Sequence, residues 1–106
     1  MKVGIVIYSN DSETVWNAFR FANFTAAMNE EVSVFILAKG VEWETLDTET
    51  FKVKEEVQEF LKSEGRIFIC GTCLEIHKLK APETFVVATL KELYDIVEQS
   101  DRIITF

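Results

Sequence analysis

The chain contains little proline, glycine or cysteine. Of its 106 residues, one is proline, four are glycine and two are cysteine. So few prolines and glycines argue against a disordered or low-complexity chain. Two cysteines are too few for a disulfide scaffold, and in a reducing cytoplasm they are not expected to pair permanently. Hydrophobic residues make up 48% of the sequence, and a chain of this length can bury a stable core without disulfide bonds.

Basic residues are also scarce, because 11 lysines and arginines face 18 aspartates and glutamates, for a net charge of −7. An acidic surface repels phosphate backbones and anionic lipids, so we expect no nucleic-acid partner and no membrane partner. The longest apolar runs, such as residues 32–38, are too short to cross a bilayer. The first eight residues show no secretory cleavage site, which favours a cytoplasmic protein.

Five short apolar segments are rich in Val, Ile and Phe, as is typical of strands buried on both faces of a sheet. They are residues 2–8, 32–38, 66–70, 84–88 and 102–106. Amphipathic helical patterns separate most of them. The predicted helices begin after Asn10 and run to Asn29, cover residues 53–63 and 72–78, and follow a capping box at Thr89. Residues 41–50 read as an acidic loop.

Strands that alternate with crossover helices specify a parallel sheet covered on both faces. The sequence therefore predicts a single domain over residues 1–106, an α/β protein of the three-layer α/β/α sandwich type with a mainly parallel five-stranded sheet. On the first helix we expect Val15, Ala18, Phe19, Ala22 and Ala26 to face that sheet.

Ligands of such sheets bind beyond the carboxyl ends of the strands. Those ends are predicted at Ser9–Asn10, at Lys39–Gly40, at Cys70–Gly71 and at Ala88–Thr89. Cys70 therefore lies where this architecture places its sites. The candidate binding residues around Cys70 are Ser9, Asn10, Lys39, Gly40, Gly71, Thr72 and His77.

A thiolate at Cys70 would be favoured by the free N–H groups of a helix that begins near Thr72. The N–H groups of Gly71 and Thr72 would then stabilise the anion, and a stabilised thiolate is a nucleophile. The alternative is that Cys70 is simply a small hydrophobic residue packed at a strand end, since free cysteine is often buried.

Cys73 follows Cys70 at C-x-x-C spacing, which leaves a dithiol redox pair open as a second chemistry. Cys73 and His77 share a helix face, but a structural zinc site needs a fourth ligand and no second ligand pair is present. Residues 9–14 lack glycine and carry two acids, which disfavours FMN, and no nucleotide-binding glycine motif occurs. We therefore predict neither a metal nor a cofactor.

The first helix carries Trp16, Phe21, Phe24 and Met28 outside its sheet-facing side. The simpler explanation is that neighbouring segments cover them. The alternative is an oligomer interface, because contiguous exposed apolar surface usually has a partner. A non-catalytic interaction subunit built on this helix is therefore a further alternative function.

Residues 69–71, preceded by residues 65–68 and closed by residues 100–106, resemble the DsrE/DsrF-like family, and residues 18–22 extend the likeness. The family includes the sulfur-relay D subunit of tRNA 2-thiolation. The resemblance implies an α/β sandwich and a homo-oligomer, trimeric or hexameric, with partner proteins that donate or accept sulfur. It also implies that Cys70 accepts sulfane sulfur as a persulfide and passes it on. Cys73 is a thiol additional to the family pattern, and its two alternative roles are to release or resolve the Cys70 persulfide or simply to pack.

Overall fold

The computed structural model describes residues 1–106, and its centre is a five-stranded sheet in which all neighbouring strands run parallel. The strands are β1 (Lys2–Ile7), β2 (Glu31–Ile36), β3 (Arg66–Cys70), β4 (Val86–Ala88) and β5 (Arg102–Thr105). Their order across the sheet is β4-β3-β2-β1-β5. The chain thus builds outward from β1 to one edge and then crosses the whole sheet to add β5 at the other.

Four α-helices and one 3₁₀ helix connect the strands. They are α1 (Ser12–Ala27), the 3₁₀ helix (Ala38–Thr45), α2 (Val53–Leu61), α3 (Gly71–His77) and α4 (Leu90–Gln99). Helices α1 and α2 cover one face of the sheet, here called the first face, and α4 packs on the second face. The predicted three-layer α/β/α sandwich is confirmed. No helix of the chain is long and apolar enough to cross a membrane.

The first face carries the larger core. Val15, Ala18, Phe19 and Ala22 of α1 are fully buried there, as the helical spacing predicts, and Ala26 packs against the same cluster. The rings of Phe19 and Phe60 meet edge to face with centroids 6.4 Å apart, which joins α1 to α2.

The second face carries a smaller cluster, in which Phe35, Phe68, Cys70 and Ala88 of the sheet meet Ile96 of α4. Gly4 of β1 lets α4 approach closely, because a Cβ there would stand 2.7 Å from Ile103 Cδ1 and 2.8 Å from Ile96 Cγ2. Since Cys70 is part of this second cluster, it lies on the face of the sheet that α4 covers.

Residues 41–50 are not the simple loop that the sequence predicts, since Ala38–Thr45 forms the 3₁₀ helix. The reason is Trp43, which is buried and stacks on Phe85 with ring centroids 5.0 Å apart. This anchor pulls an otherwise acidic segment onto the carboxyl edge of the sheet. The start of α1 also differs, because Asp11 rather than Asn10 is the N-cap and accepts the N–H of Thr14 at 3.0 Å.

Candidate functional site

Cys70 is both the last residue of β3 and the N-cap of α3. Its Sγ accepts the backbone N–H of Cys73 at 3.4 Å. The residue is 6% exposed and packs beside Ala88 on the second face of the sheet. The side chain therefore lies at the boundary between the core and the carboxyl edge, with a helix N–H directed at its sulfur.

Cys73 is half-buried one turn into α3, and its Sγ accepts the backbone N–H of Ala38 at 3.2 Å. Ala38 adopts φ 54°, a left-handed conformation that is uncommon outside glycine. Burial raises the pKa of the Cys73 thiol, and the neighbouring Cys70 thiol raises it further, while the Ala38 N–H acts in the opposite direction. Cys73 is therefore a protonated thiol at neutral pH.

Glu42 of the 3₁₀ helix connects two other segments at the same edge. Its Oε1 accepts from Asn10 Nδ2 at 2.8 Å, and its Oε2 lies 3.3 Å from His77 Nδ1. The Asn10 hydrogen bond, helped by His77, lowers the pKa of the Glu42 carboxyl. Because a carboxylate only accepts hydrogen bonds, Nδ1 of His77 carries the hydrogen of this contact.

The edge thus brings together four of the residues that the sequence singles out. Cys70, Cys73 and His77 come from α3 and its cap, and Asn10 reaches them through Glu42. The N–H that contacts Cys70 is that of Cys73, so the prediction that the N–H groups of Gly71 and Thr72 do this is wrong. The side chain of Thr72 is exposed.

Three other candidates have structural explanations or no contact with the thiols. Ser9 Oγ accepts the N–H of Asp11 at 2.9 Å and shapes the turn before α1. Gly40 is buried where a Cβ would stand 2.7 Å from the carbonyl oxygen of Ile7, so close approach to β1 requires glycine. Lys39 is exposed, and its charge acts on Glu42.

Sequence reasoning missed Glu42 and Ala38. Glu42 belongs to an acidic stretch whose composition predicts a solvated surface. The one signal that this segment packs on the core is the neighbouring Trp43, which is buried in the structure. Ala38 contributes a backbone N–H, which no side-chain pattern reports. The side chains of His, Cys, Asp and Glu form no group of three that could hold a metal ion.

The arrangement defines a class: a parallel α/β protein with a free cysteine at the carboxyl end of a strand and a second thiol on the helix that it caps. The family model for the DsrE/DsrF-like family matches residues 1–106. The chain belongs to this family, which confirms the resemblance seen in the sequence.

Similar proteins come from bacteria and archaea. Over 100 residues the chain is 27% identical to "Uncharacterized protein MJ0989" of Methanocaldococcus jannaschii, covering 89% of this chain and 88% of that one. The crystal structure of the YchN protein from E. coli superposes with a TM-score of 0.84 at 18% identity, covering 100% of both chains. MTH1491 from Methanobacterium thermoautotrophicum, described as a protein of unknown function, gives a TM-score of 0.75 at 16% identity, covering 99% and 98%. These two structures share the fold.

Proposed function

We propose that this protein carries sulfane sulfur as a persulfide on Cys70. The observation that carries the proposal is the placement of Cys70 Sγ at the carboxyl end of β3, where it accepts the N–H of Cys73 at 3.4 Å. Membership of a family associated with sulfur relay supports it. An N–H directed at sulfur favours the thiolate, which is the nucleophilic form of cysteine.

The transfer needs no external oxidant. The Cys70 thiolate attacks the terminal sulfur of a donor persulfide, the new Cys70 S–S bond forms, and the donor S–S bond breaks to release the donor as a thiolate that takes up a proton. An acceptor thiolate then attacks the terminal sulfur of the Cys70 persulfide, and Cys70 leaves as a thiolate. One sulfur atom moves between thiols at each step.

Cys73 has a distinct part in this scheme. Its raised pKa favours the protonated thiol at neutral pH, and a protonated thiol is a weak nucleophile. When it does ionise, it can attack the Cys70 sulfur, form a Cys70–Cys73 disulfide and release hydrosulfide. That disulfide must be reduced by a cellular thiol before the next cycle, and the cytoplasm, our proposed location, supplies such thiols.

The test is incubation of the purified protein with inorganic polysulfide, followed by intact mass spectrometry of the wild type, Cys70→Ser and Cys73→Ser. We expect the wild type and Cys73→Ser to gain the mass of one sulfur atom, and Cys70→Ser to gain none. Sulfur addition that survives in Cys70→Ser would overturn the proposal, as would a Cys70 that neither polysulfide nor an alkylating agent modifies.

A dithiol redox function is the second candidate, favoured by the interaction between the two thiols that raises the pKa of Cys73. It predicts loss of two hydrogens on mild oxidation, reversed by dithiothreitol and absent from each single variant. The same mass spectra distinguish the two functions, because one adds sulfur and the other removes hydrogen.

We also infer that the protein works as a homo-oligomer through the outer side of α4. Leu90, Tyr94 and Val97 recur at i, i+4 and i+7 and are all more than half exposed. Val86 of the edge strand β4, which lies on the same face of the sheet as α4, is also exposed. On α1, Trp16 is covered by Phe51 at 5.2 Å between ring centroids and by Arg20. Phe24 and Met28 of the same helix stay exposed, so α1 is the alternative surface for self-association.

A further inference from the structure

A cavity of about 300 Å³ lies on the second face of the sheet, between α4 and the amino-terminal halves of β1, β2 and β3. It arises because α4 is the single helix packed on this face and is only about 10 Å across, while five strands span about 19 Å. The helix cannot cover the whole face. The cavity is separate from the Cys70 site, which lies at the carboxyl edge, and its volume is near the lower end of small-molecule sites.

Arg66 is the one cation of the cavity without an acidic partner. Its guanidinium lies over the Phe68 ring, 4.9 Å from the centroid, and Arg66 takes part in none of the ion pairs of the chain. Stacking on an aromatic ring holds the planar guanidinium group in place and leaves its N–H groups free to donate. A fixed guanidinium fork matches a carboxylate in bidentate geometry.

The acidic residues of the cavity are Glu31, Glu92 and Asp95, which outnumber its two cations, Lys2 and Arg66. Each already has a local contact: Glu31 Oε2 lies 3.6 Å from Lys2 Nζ, Glu92 accepts from Thr89, and Asp95 pairs with Lys91 at 2.8 Å. A carboxylate has about four lone-pair sites, so each retains capacity for another donor. This acidic rim attracts a cation, and it repels a ligand that carries only negative charge.

The remaining surface is apolar at its base and polar at its edge. Phe68 and Ile96 are each 8% exposed and form the base. Ser33 and Gln99 add neutral hydrogen-bonding groups at the edge. A ligand that satisfies all parts has one carboxylate, one ammonium group and a short apolar body.

We propose that this cavity binds a small α-amino acid as the zwitterion. The carboxylate pairs with Arg66, the ammonium group lies among Glu92, Asp95 and Glu31, and the side chain rests on Phe68 and Ile96. The proposal goes beyond sulfur transport and does not depend on the chemistry of Cys70.

The test is an amide-proton NMR titration of the full chain with L-leucine and two analogues that each lack one charge, isopentylamine and isocaproate. We expect saturable shifts at residues 66–68 and 92–100 with L-leucine, and binding about tenfold weaker or worse with either analogue, since each loses a charge-assisted contact. Arg66→Gln should weaken L-leucine binding to a similar degree. Arg102→Gln, at an exposed arginine outside the cavity, should leave it unchanged.

Three results would overturn the proposal. The first is the absence of saturable shifts in the cavity with L-leucine. The second is equal affinity for L-leucine and for either analogue, which would mean a site for a simple anion or a simple cation. The third is unchanged binding in Arg66→Gln.

Discussion

The backbone N–H of Ala38 donates to Cys73 Sγ at 3.2 Å, although the two residues lie 35 positions apart in the chain. This hydrogen bond fixes α3 against the start of the 3₁₀ helix, and Glu42 fixes the other end of α3 through His77. The cap residue Cys70 therefore sits on a helix that is held at two points. The sulfur of Cys73 is thus bonded to a distant segment of the chain, whereas the sulfur of Cys70 is bonded to an N–H of the helix that it caps.

The reactivity of Cys73 should depend on pH in a way that its raised pKa dictates. In Cys70→Ser, where Cys73 is the single thiol, alkylation by iodoacetamide should be slower at neutral pH than that of free cysteine. The rate should rise over a pH range above that of free cysteine, because burial persists in the variant. Mass spectrometry of timed samples measures it, and a rate profile that coincides with free cysteine would show that burial does not control the thiol.

Removal of Glu42 should loosen α3. In Glu42→Ala, Asn10 and His77 both lose their acceptor, so we expect the amides of α3 to exchange with solvent several-fold faster and Cys73 to be alkylated faster. Glu44→Ala is the matched control, since Glu44 is an exposed glutamate of the same 3₁₀ helix. Equal exchange in the two variants would remove Glu42 from the site.

The contribution of Glu42 to stability should disappear in acid. Its folded-state pKa is lowered, first by Asn10 and then by His77, so the stabilisation is present above the ordinary glutamate pKa and is lost as pH falls through the lowered value. The difference in urea midpoint between the wild type and Glu42→Gln should therefore be largest at neutral pH and vanish in acid. A difference that is constant with pH would contradict this linkage.

The sequence was sufficient to predict the sheet because β1, β2 and β3 are nearly continuous apolar runs, and such runs fit strands buried on both faces. Cys70 could be placed at the carboxyl edge for the same reason, since it ends one of those runs. The 3₁₀ helix could not be predicted, because nothing in the residues around Ala38 signals a left-handed backbone. Glu42 differs from its acidic neighbours only through contacts to Asn10 and His77, which are distant in the sequence.

Gly4 should be required for the packing of α4 on the second face. In Gly4→Ala the new methyl group would overlap Ile96 and Ile103, and forced overpacking costs about 1–3 kcal/mol. Gly71→Ala is the control, because its Cβ would meet the exposed Val87 side chain at 3.1 Å, which can move. Urea unfolding monitored by circular dichroism compares them. Equal midpoints for the two variants would refute the close packing of α4.

Self-association should depend on α4 rather than α1. Leu90 and Phe24 are almost equally exposed, at 67% and 66%, so Leu90→Glu and Phe24→Glu add the same charge to comparable sites. We expect sedimentation velocity to show a smaller species for Leu90→Glu and an unchanged one for Phe24→Glu. The opposite result would assign the interface to α1, and a monomeric wild type would refute the inferred oligomer.

The most direct test of the account is to locate the added sulfur within the wild-type chain. After treatment with inorganic polysulfide and alkylation, proteolysis should release a peptide that contains both Cys70 and Cys73, and fragment-ion spectra can assign the extra sulfur to one of them. The account predicts that the sulfur is on Cys70, the cap of α3. Sulfur found on Cys73, or on neither cysteine, would contradict it.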